Sequence, residues 1–268
     1  KRNYTNHMNN LFDIACNFSS DRFDKDLDDV IQRAKEKKVT KFLVVSASLK
    51  DIDKVHQIYL NNRDSCFFTI GVHPHHANEF NLSSSKEMKH LIKMYKPHSV
   101  GETGLDFFRN ISSYEEQLFA FEEQIKIAID NNQPLFLHQR NAHADFMKIV
   151  KKYKDNIPKA VLHCFTGTQK ELDDYLNMGF YIGLTGWICD ERRNVDLRKS
   201  LINIPIEKLM IETDCPYLIP RNLNDKLKNN RNEPSYLPHI AKEIAALVKI
   251  DVNKFAEVTY ANSVNFFK

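Results

Sequence analysis

Lys41-Phe42-Leu43-Val44-Val45-Ser46-Ala47 is the segment on which the fold reading turns, because it places four apolar residues side by side. A strand with one wet face alternates apolar and polar residues, whereas a run without alternation marks a strand covered on both faces, as in a parallel sheet flanked by helices. The segment that follows, 51–62, returns to helical spacing, so the two together read as one βα unit. The same rhythm extends to both ends of the chain. Strands are expected at 11–17, 41–47, 66–72, 99–103, 134–138, 160–165, 181–185 and 209–214, and helices near 24–37, 51–62, 85–95, 114–132, 142–153, 169–178, 194–202 and 235–248. Eight uninterrupted units predict an α/β chain closed into a TIM (β/α)8 barrel. An open doubly wound sheet is the competing arrangement, but it carries a glycine-rich phosphate turn after its first strand, and Asn17-Phe18-Ser19-Ser20 has no glycine.

The 268 residues match one barrel, which takes about 250. No Gly/Ser-rich linker interrupts them, so a single domain over 1–268 is expected, with residues 1–10 a flexible N-terminal tail. A hydrophobic content of 42% and a charged content of 27% exclude a disordered chain, a collagen-like repeat and a disulfide scaffold. The apolar runs are too short for a membrane span. With 38 basic against 35 acidic residues the formal net charge is +3, so any grip on nucleic acid has to come from local charge placement. Five cysteines without a CxxC pair point to a reducing compartment. The cytoplasm is the default expectation; nucleus and secretion stay open because the chain begins at Lys1.

In a barrel of this type the chemistry sits at the C-terminal ends of the strands. Those ends carry His73 and His75, then Glu102, His138, His163 and Asp214. Imidazoles and carboxylates on one rim are the ligand types of a divalent metal site, and a carboxylate such as Glu102 in an apolar strand needs strong compensation. Period-two alternation turns Cys164 away if His163 faces the site, and gives Glu212 and Asp214 one orientation. Arg109, Arg140, Arg192, Arg193, Arg221 and Arg231 follow strand ends and are expected to form a ring over the same rim, suited to phosphate oxygens. The long polar loop 216–234, with Arg221, Lys226, Lys228 and Arg231, is expected to be functional.

Taken in order, Phe12-Asp13-Ile14, Gly71-Val72-His73-Pro74-His75, Val100-Gly101-Glu102-Thr103-Gly104-Leu105-Asp106, His138-Gln139-Arg140, Leu162-His163-Cys164-Phe165-Thr166-Gly167, Thr185-Gly186-Trp187-Ile188-Cys189-Asp190-Glu191-Arg192-Arg193, Glu212-Thr213-Asp214-Cys215-Pro216-Tyr217-Leu218 and Arg231-Asn232-Glu233-Pro234 resemble the TatD family of metal-dependent deoxyribonucleases over nearly the whole chain. The resemblance implies a monomeric hydrolase of DNA phosphodiesters, a 3′→5′ exonuclease preferring single-stranded DNA, in DNA repair or degradation. It places metal ligands at Glu102, His138, His163 and Asp214 and the catalytic role at Glu102 and Asp214. Substrate contacts are expected from His73, Arg140, Arg192, Arg221 and Arg231. Many relatives end their first strand with His-x-His, where this chain has Ala15-Cys16-Asn17, a change that the TatD branch proper shares. One or two ions are therefore expected, Mg²⁺ first, with Mn²⁺ or Zn²⁺ compatible with the donor types. The alternative is a metal-dependent hydrolase of a small amide or ester, aminoacyl esters included, on the same barrel.

Overall fold

Hydrophobic alternation inside each strand sorts two faces, and closing the sheet turns one of them into the barrel interior. The computed structural model describes residues 8–224 and 230–268. Its strands are β1 (Leu11–Cys16), β2 (Val39–Val44), β3 (Cys66–Ile70), β4 (Ser99–Asp106), β5 (Leu135–Arg140), β6 (Ala160–Leu162), β7 (Tyr181–Leu184) and β8 (Leu209–Ile211). They pair in parallel in chain order. The ring is completed where Cys16 bridges to Cys215 and Asn17 N donates to Cys215 O at 2.9 Å. The TIM (β/α)8 expectation holds.

Phe12, Ile14, Leu43, Val45, Phe136, Val161 and Met210 make up the inner cluster, while Leu11, Phe42, Val44, Leu135, Leu137, Leu162, Leu209 and Ile211 pack outward into the larger core shared with the helices. Thus the apolar run Phe42-Leu43-Val44-Val45 feeds both layers, as a strand covered on both faces must. The helices are α1 (Leu27–Glu36), α2 (Ile52–Asn61), α3 (Leu82–Tyr95), α4 (Tyr114–Asp130), α5 (His143–Lys152), α6 (Gln169–Asn177), α7 (Val195–Leu201), α8 (Leu237–Leu247) and α9 (Val252–Phe267). Local chemistry fixes where α4 starts. Ser113 Oγ accepts from Glu116 N at 3.3 Å and the Glu116 carboxylate accepts from Ser113 N at 2.8 Å, a reciprocal cap.

The sequence reading lacks α9, whose apolar residues are diluted by Asn253, Asn262 and Asn265. It brings Phe266 and Phe267 into the inner cluster, with Phe267 5.8 Å from Phe12 and Phe266 5.1 Å from Tyr181, ring to ring. These rings fill the N-terminal end of the barrel and leave the C-terminal end as the mouth. The expected tail 1–10 is also shorter at its inner end. Asn9 is tied to Asn253 by hydrogen bonds of 3.2 and 3.1 Å, and residues 1–7 lie outside the described residues. Among the described residues no helix is long and apolar enough to cross a membrane.

Candidate active site

Two residues beyond Phe136, Val161 and Met210, the same inward rows deliver His138, His163 and Glu212 to the barrel mouth. β4 reaches the mouth differently. Val100 packs outward, so plain alternation sends Glu102 outward too. In the β4–β5 register, however, Gly101 pairs with Phe136 and Thr103 with Leu137, leaving Glu102 as an extra residue. A bulge of this kind re-aims a side chain, and here it turns the carboxylate inward. Gly104 lets the two strands close above it: at φ +151° a Cβ would meet the His138 carbonyl oxygen at 1.8 Å.

Three imidazoles converge on one oxygen. Glu102 Oε1 lies 2.6 Å from His163 Nε2, 2.9 Å from His138 Nδ1 and 3.4 Å from His73 Nε2. Burial pushes the Glu102 carboxyl up, but the charge of His163 and hydrogen bonds from His138 and His163 prevail and hold it well below the usual carboxylate range. Conversely, burial depresses His163, and the opposing carboxylates of Glu102 and Glu212 lift it above its ordinary value. His73 accepts from His75 N on Nδ1 at 3.0 Å, which leaves Nε2 facing Glu102. Burial pushes His73 down to about 4, so it stays neutral, and with Nδ1 accepting, its one proton sits on Nε2 and is directed at Glu102 Oε1.

A second layer of carboxylates orients these rings. Asp106 Oδ2 lies 2.9 Å from His75 Nε2 and 3.3 Å from His138 Nε2, while Oδ1 accepts from Phe108 N and Arg109 N at 3.0 Å each. Glu212 is buried, accepts from Cys164 N and stands 3.4 Å from His163 Nδ1. Across the mouth Asp214 keeps partial solvent contact, and its Oδ1 accepts from Asn17 Nδ2 at 3.1 Å. The dense surroundings still withhold enough water to push its carboxyl up to about 7, an effect that the charge of His163 opposes.

This donor set fits a divalent metal. Ligand atoms of His73, Glu102 and His138 lie within 4.8 Å of one another, and His163 adds its Nε2 at Glu102. His163 Nδ1 and Glu212 Oε2 are buried without a hydrogen-bond partner. An Nδ1–H aimed at Glu212 leaves Nε2 to a cation, and His138 between Asp106 and Glu102 has the same layout. Carboxylate–histidine pairs of this sort support metal ligands.

The structure therefore brings Glu102, His138, His163 and His73 together, with Asp214 on the facing side. His73, expected to meet substrate, stands in the same cluster, 3.4 Å from Glu102 Oε1. Asp106 has no expected role in the sequence reading, although its period-two relation to Gly104 and Glu102 within Gly101–Asp106 is a usable signal. Asn17 enters that reading only as a missing histidine; its amide holds Asp214. Asp13, buried at the foot of the same wall, accepts from Thr213 N at 2.9 Å and Ala15 N at 3.3 Å and so fixes the segment before Asp214.

The expected arginine ring divides. Arg140 stands on the rim with its guanidinium 3.8 Å over the Phe108 ring, and Arg221 is exposed. Arg192 is bound back to Asp190 through two contacts of 2.9 Å. Arg231 requires a correction: it is 5% exposed, forms a fork to Asp26 at 2.8 Å on both arms and lies over Phe23. It ties the segment 230–234 to the N-terminal end of α1. Lys226 and Lys228 lie outside the described residues. Arg231→Ala is expected to cost about 1–3 kcal/mol, because it removes a part-buried fork to Asp26, while Glu233 keeps Arg33. A urea midpoint equal to that of the parent would refute this assignment.

Residues 12–268 match the model of the TatD related DNase family. The chain is 43% identical over 257 residues to the 3′-5′ ssDNA/RNA exonuclease TatD of Escherichia coli strain K12, covering 96% of this chain and 98% of that protein. It is 41% identical over 258 residues to the protein of the same name from Edwardsiella piscicida, covering 96% and 99%. A crystal structure of a hydrolase TatD family protein from Entamoeba histolytica superposes with a TM-score of 0.86 at 30% identity, covering 97% of this chain and 98% of that one. With a barrel whose mouth gathers three imidazoles on one carboxylate and a match running through its whole length, the chain belongs to the TatD family of deoxyribonucleases.

Proposed function

We infer that the protein removes nucleotides one at a time from the 3′ end of single-stranded DNA, and of single-stranded RNA, by metal-dependent hydrolysis with Mg²⁺ as the working ion. The observation that carries the reading is the convergence of His163, His138 and His73 on Glu102 Oε1, opposite Asp214, at the open end of the barrel. The names of the relatives at 41–43% identity support the direction and the substrate.

Glu102, His138 and His163 would hold the ion, with Asp214 completing the site from the facing wall and His73 steadying the Glu102 carboxylate. When bound, a divalent ion lowers the pKa of water, polarises the phosphoryl oxygen and stabilises the leaving oxygen. The residues supply position and proton transfer. Asn17 holds Asp214 Oδ1, so Oδ2 faces the mouth and accepts a proton as water attacks phosphorus; the 3′ oxygen of the penultimate nucleotide departs and takes up a proton. Glu212 and Asp106 keep His163 and His138 in the tautomers that present a lone pair. The buried inner cluster below closes the barrel floor, so water and strand enter from the mouth alone.

The test is a single-stranded oligonucleotide labelled at its 5′ end, incubated with Mg²⁺. A ladder of products shortening one nucleotide at a time, abolished by EDTA and restored by excess Mg²⁺, is the expected result. Release of internal fragments, or cleavage that survives EDTA, would overturn the reading.

A further inference from the structure

Phe108 is 54% exposed in the loop that follows β4 at the mouth. Burial of apolar area is what places a phenylalanine, and this one forgoes it while its neighbour Phe107 packs beside Tyr114 at 5.1 Å. One face of the Phe108 ring is covered by the Arg140 guanidinium, 3.8 Å from the centroid. The other face is open. Among the described residues the Arg140 guanidinium forms no ion pair or hydrogen bond, so its N–H donors are free beyond the edge of the ring.

The pair is fixed directly to the candidate metal site. Phe108 N donates to Asp106 Oδ1 at 3.0 Å, and Asp106 Oδ2 holds His138 and His75. Arg140 lies two residues beyond His138 on β5, in register with Asp106. Two residues of strand cover roughly 6.6 Å, so Arg140 leaves the backbone about that far beyond His138, on the mouth side of the imidazole. An open aromatic face beside an uncompensated guanidinium matches a planar base joined to a phosphate: the base stacks on the ring, and the fork takes the phosphate oxygens.

We propose that Phe108, seated on Arg140, is the stacking platform for one nucleobase of the bound strand, beside the phosphodiester being hydrolysed. The assignment rests on the nuclease reading given above. It makes Phe108 a substrate-binding residue that grips any base by its π-face and reads no sequence, which suits an enzyme that advances along a strand of arbitrary composition.

The experiment compares the wild type with Phe108→Ala and Phe108→Trp on two substrates: an ordinary single-stranded oligonucleotide, and one whose last three 3′ nucleotides are abasic tetrahydrofuran residues. On the ordinary strand Phe108→Ala is expected to raise KM roughly ten-fold, well beyond any fall in kcat, and Phe108→Trp to restore it. On the abasic strand the wild type is expected to show the weakened KM, with Phe108→Ala no worse. A KM for Phe108→Ala equal to that of the wild type overturns the platform. So does an equal loss on both strands, which would leave Phe108 a mere support for Arg140. If the wild type degrades neither strand with Mg²⁺, the nuclease reading falls and the platform with it, whereas degradation with an unchanged KM removes the platform alone. Because the ring is exposed, the melting temperature of Phe108→Ala is expected to match the parent, which separates loss of stacking from loss of fold.

Discussion

Replacing Glu102 with glutamine is expected to lower metal-dependent cleavage by about a thousand-fold or more while leaving the fold in place. The carboxylate is the one group that all three converging imidazoles share. Losing several kcal/mol of transition-state stabilisation at about 1.4 kcal/mol per factor of ten gives a loss of this size. Glutamine keeps the volume of the side chain, so no cavity opens. Nor is a charge stranded: His138 keeps Asp106 and His163 keeps Glu212 as carboxylate partners. Metal-free thermal unfolding should therefore be close to that of the parent. The discriminating measurement is the rise in melting temperature on adding Mg²⁺ or Mn²⁺. Binding to the native state alone raises stability by RT ln(1 + [L]/Kd), so the parent gains and Glu102→Gln does not. A variant that keeps the full metal-induced rise would show that Glu102 is not a ligand.

What the sequence discloses of this site, and what it hides, follows from one physical distinction. A parallel strand that buries both faces advertises itself through composition, so Phe42-Leu43-Val44-Val45 and its counterparts are legible without coordinates, and their eightfold repetition gives the barrel. Helix α9 is less legible because its buried stripe runs from Phe255 and Ala256 through the hydroxyl residues Thr259 and Ser263 before it ends in Phe266 and Phe267 at the barrel floor. At the mouth, residues that end regular inward rows are found by alternation, as His138 and His163 are. Glu102 breaks that rule through a bulge, and only its residue type in an apolar setting betrays it. Side chains that fold back on neighbours are the hardest to read. A surface arginine and a buried structural one look the same in sequence, and Arg231 is of the second kind because Asp26 is brought to it by α1, far away along the chain. Asp106 and Glu212 belong to a last group, in which a carboxylate acts through a histidine and its partner is set by tertiary contact alone.

Asp214→Asn is expected to reduce the pH dependence of metal binding, leaving the share due to the imidazole ligands, along with most of the activity. In the metal-free protein the Asp214 carboxyl is raised from 3.8 to about 7, first by burial. Between those two values the native state binds a proton that the unfolded chain releases. Stability of the metal-free protein therefore falls as pH climbs through this window, by at most about 1.4 kcal/mol per pH unit for the group, and less where solvent at the mouth screens it. Asp13, also raised to about 7 by burial, adds a slope of the same sign. A cation at the mouth reverses the balance for Asp214, since it binds the ionised carboxylate and competes with the proton. The metal-induced rise in melting temperature should accordingly be small at pH 5 and large at pH 8, and kcat/KM should climb over the same range, with its midpoint moving below 7 as Mg²⁺ is raised. In Asp214→Asn the amide retains Oδ1 as an acceptor for Asn17 but carries no charge to titrate. Its metal-free stability should fall less steeply with pH, and its metal-induced rise should be small and less dependent on pH than that of the wild type, the remainder coming from His163 and His138. Cleavage should drop by about two to three orders of magnitude, the range expected when a proton acceptor that also binds the ion is lost. Asp13→Asn completes the comparison, because that side chain is walled off beneath Thr213 and should remove its share of the stability slope while leaving the metal response of the mouth intact. If Asp214→Asn and the wild type share one pH profile for metal binding, the carboxylate that titrates with the ion lies elsewhere on the rim, and Asp106, bonded to both His75 and His138, is the group to replace next.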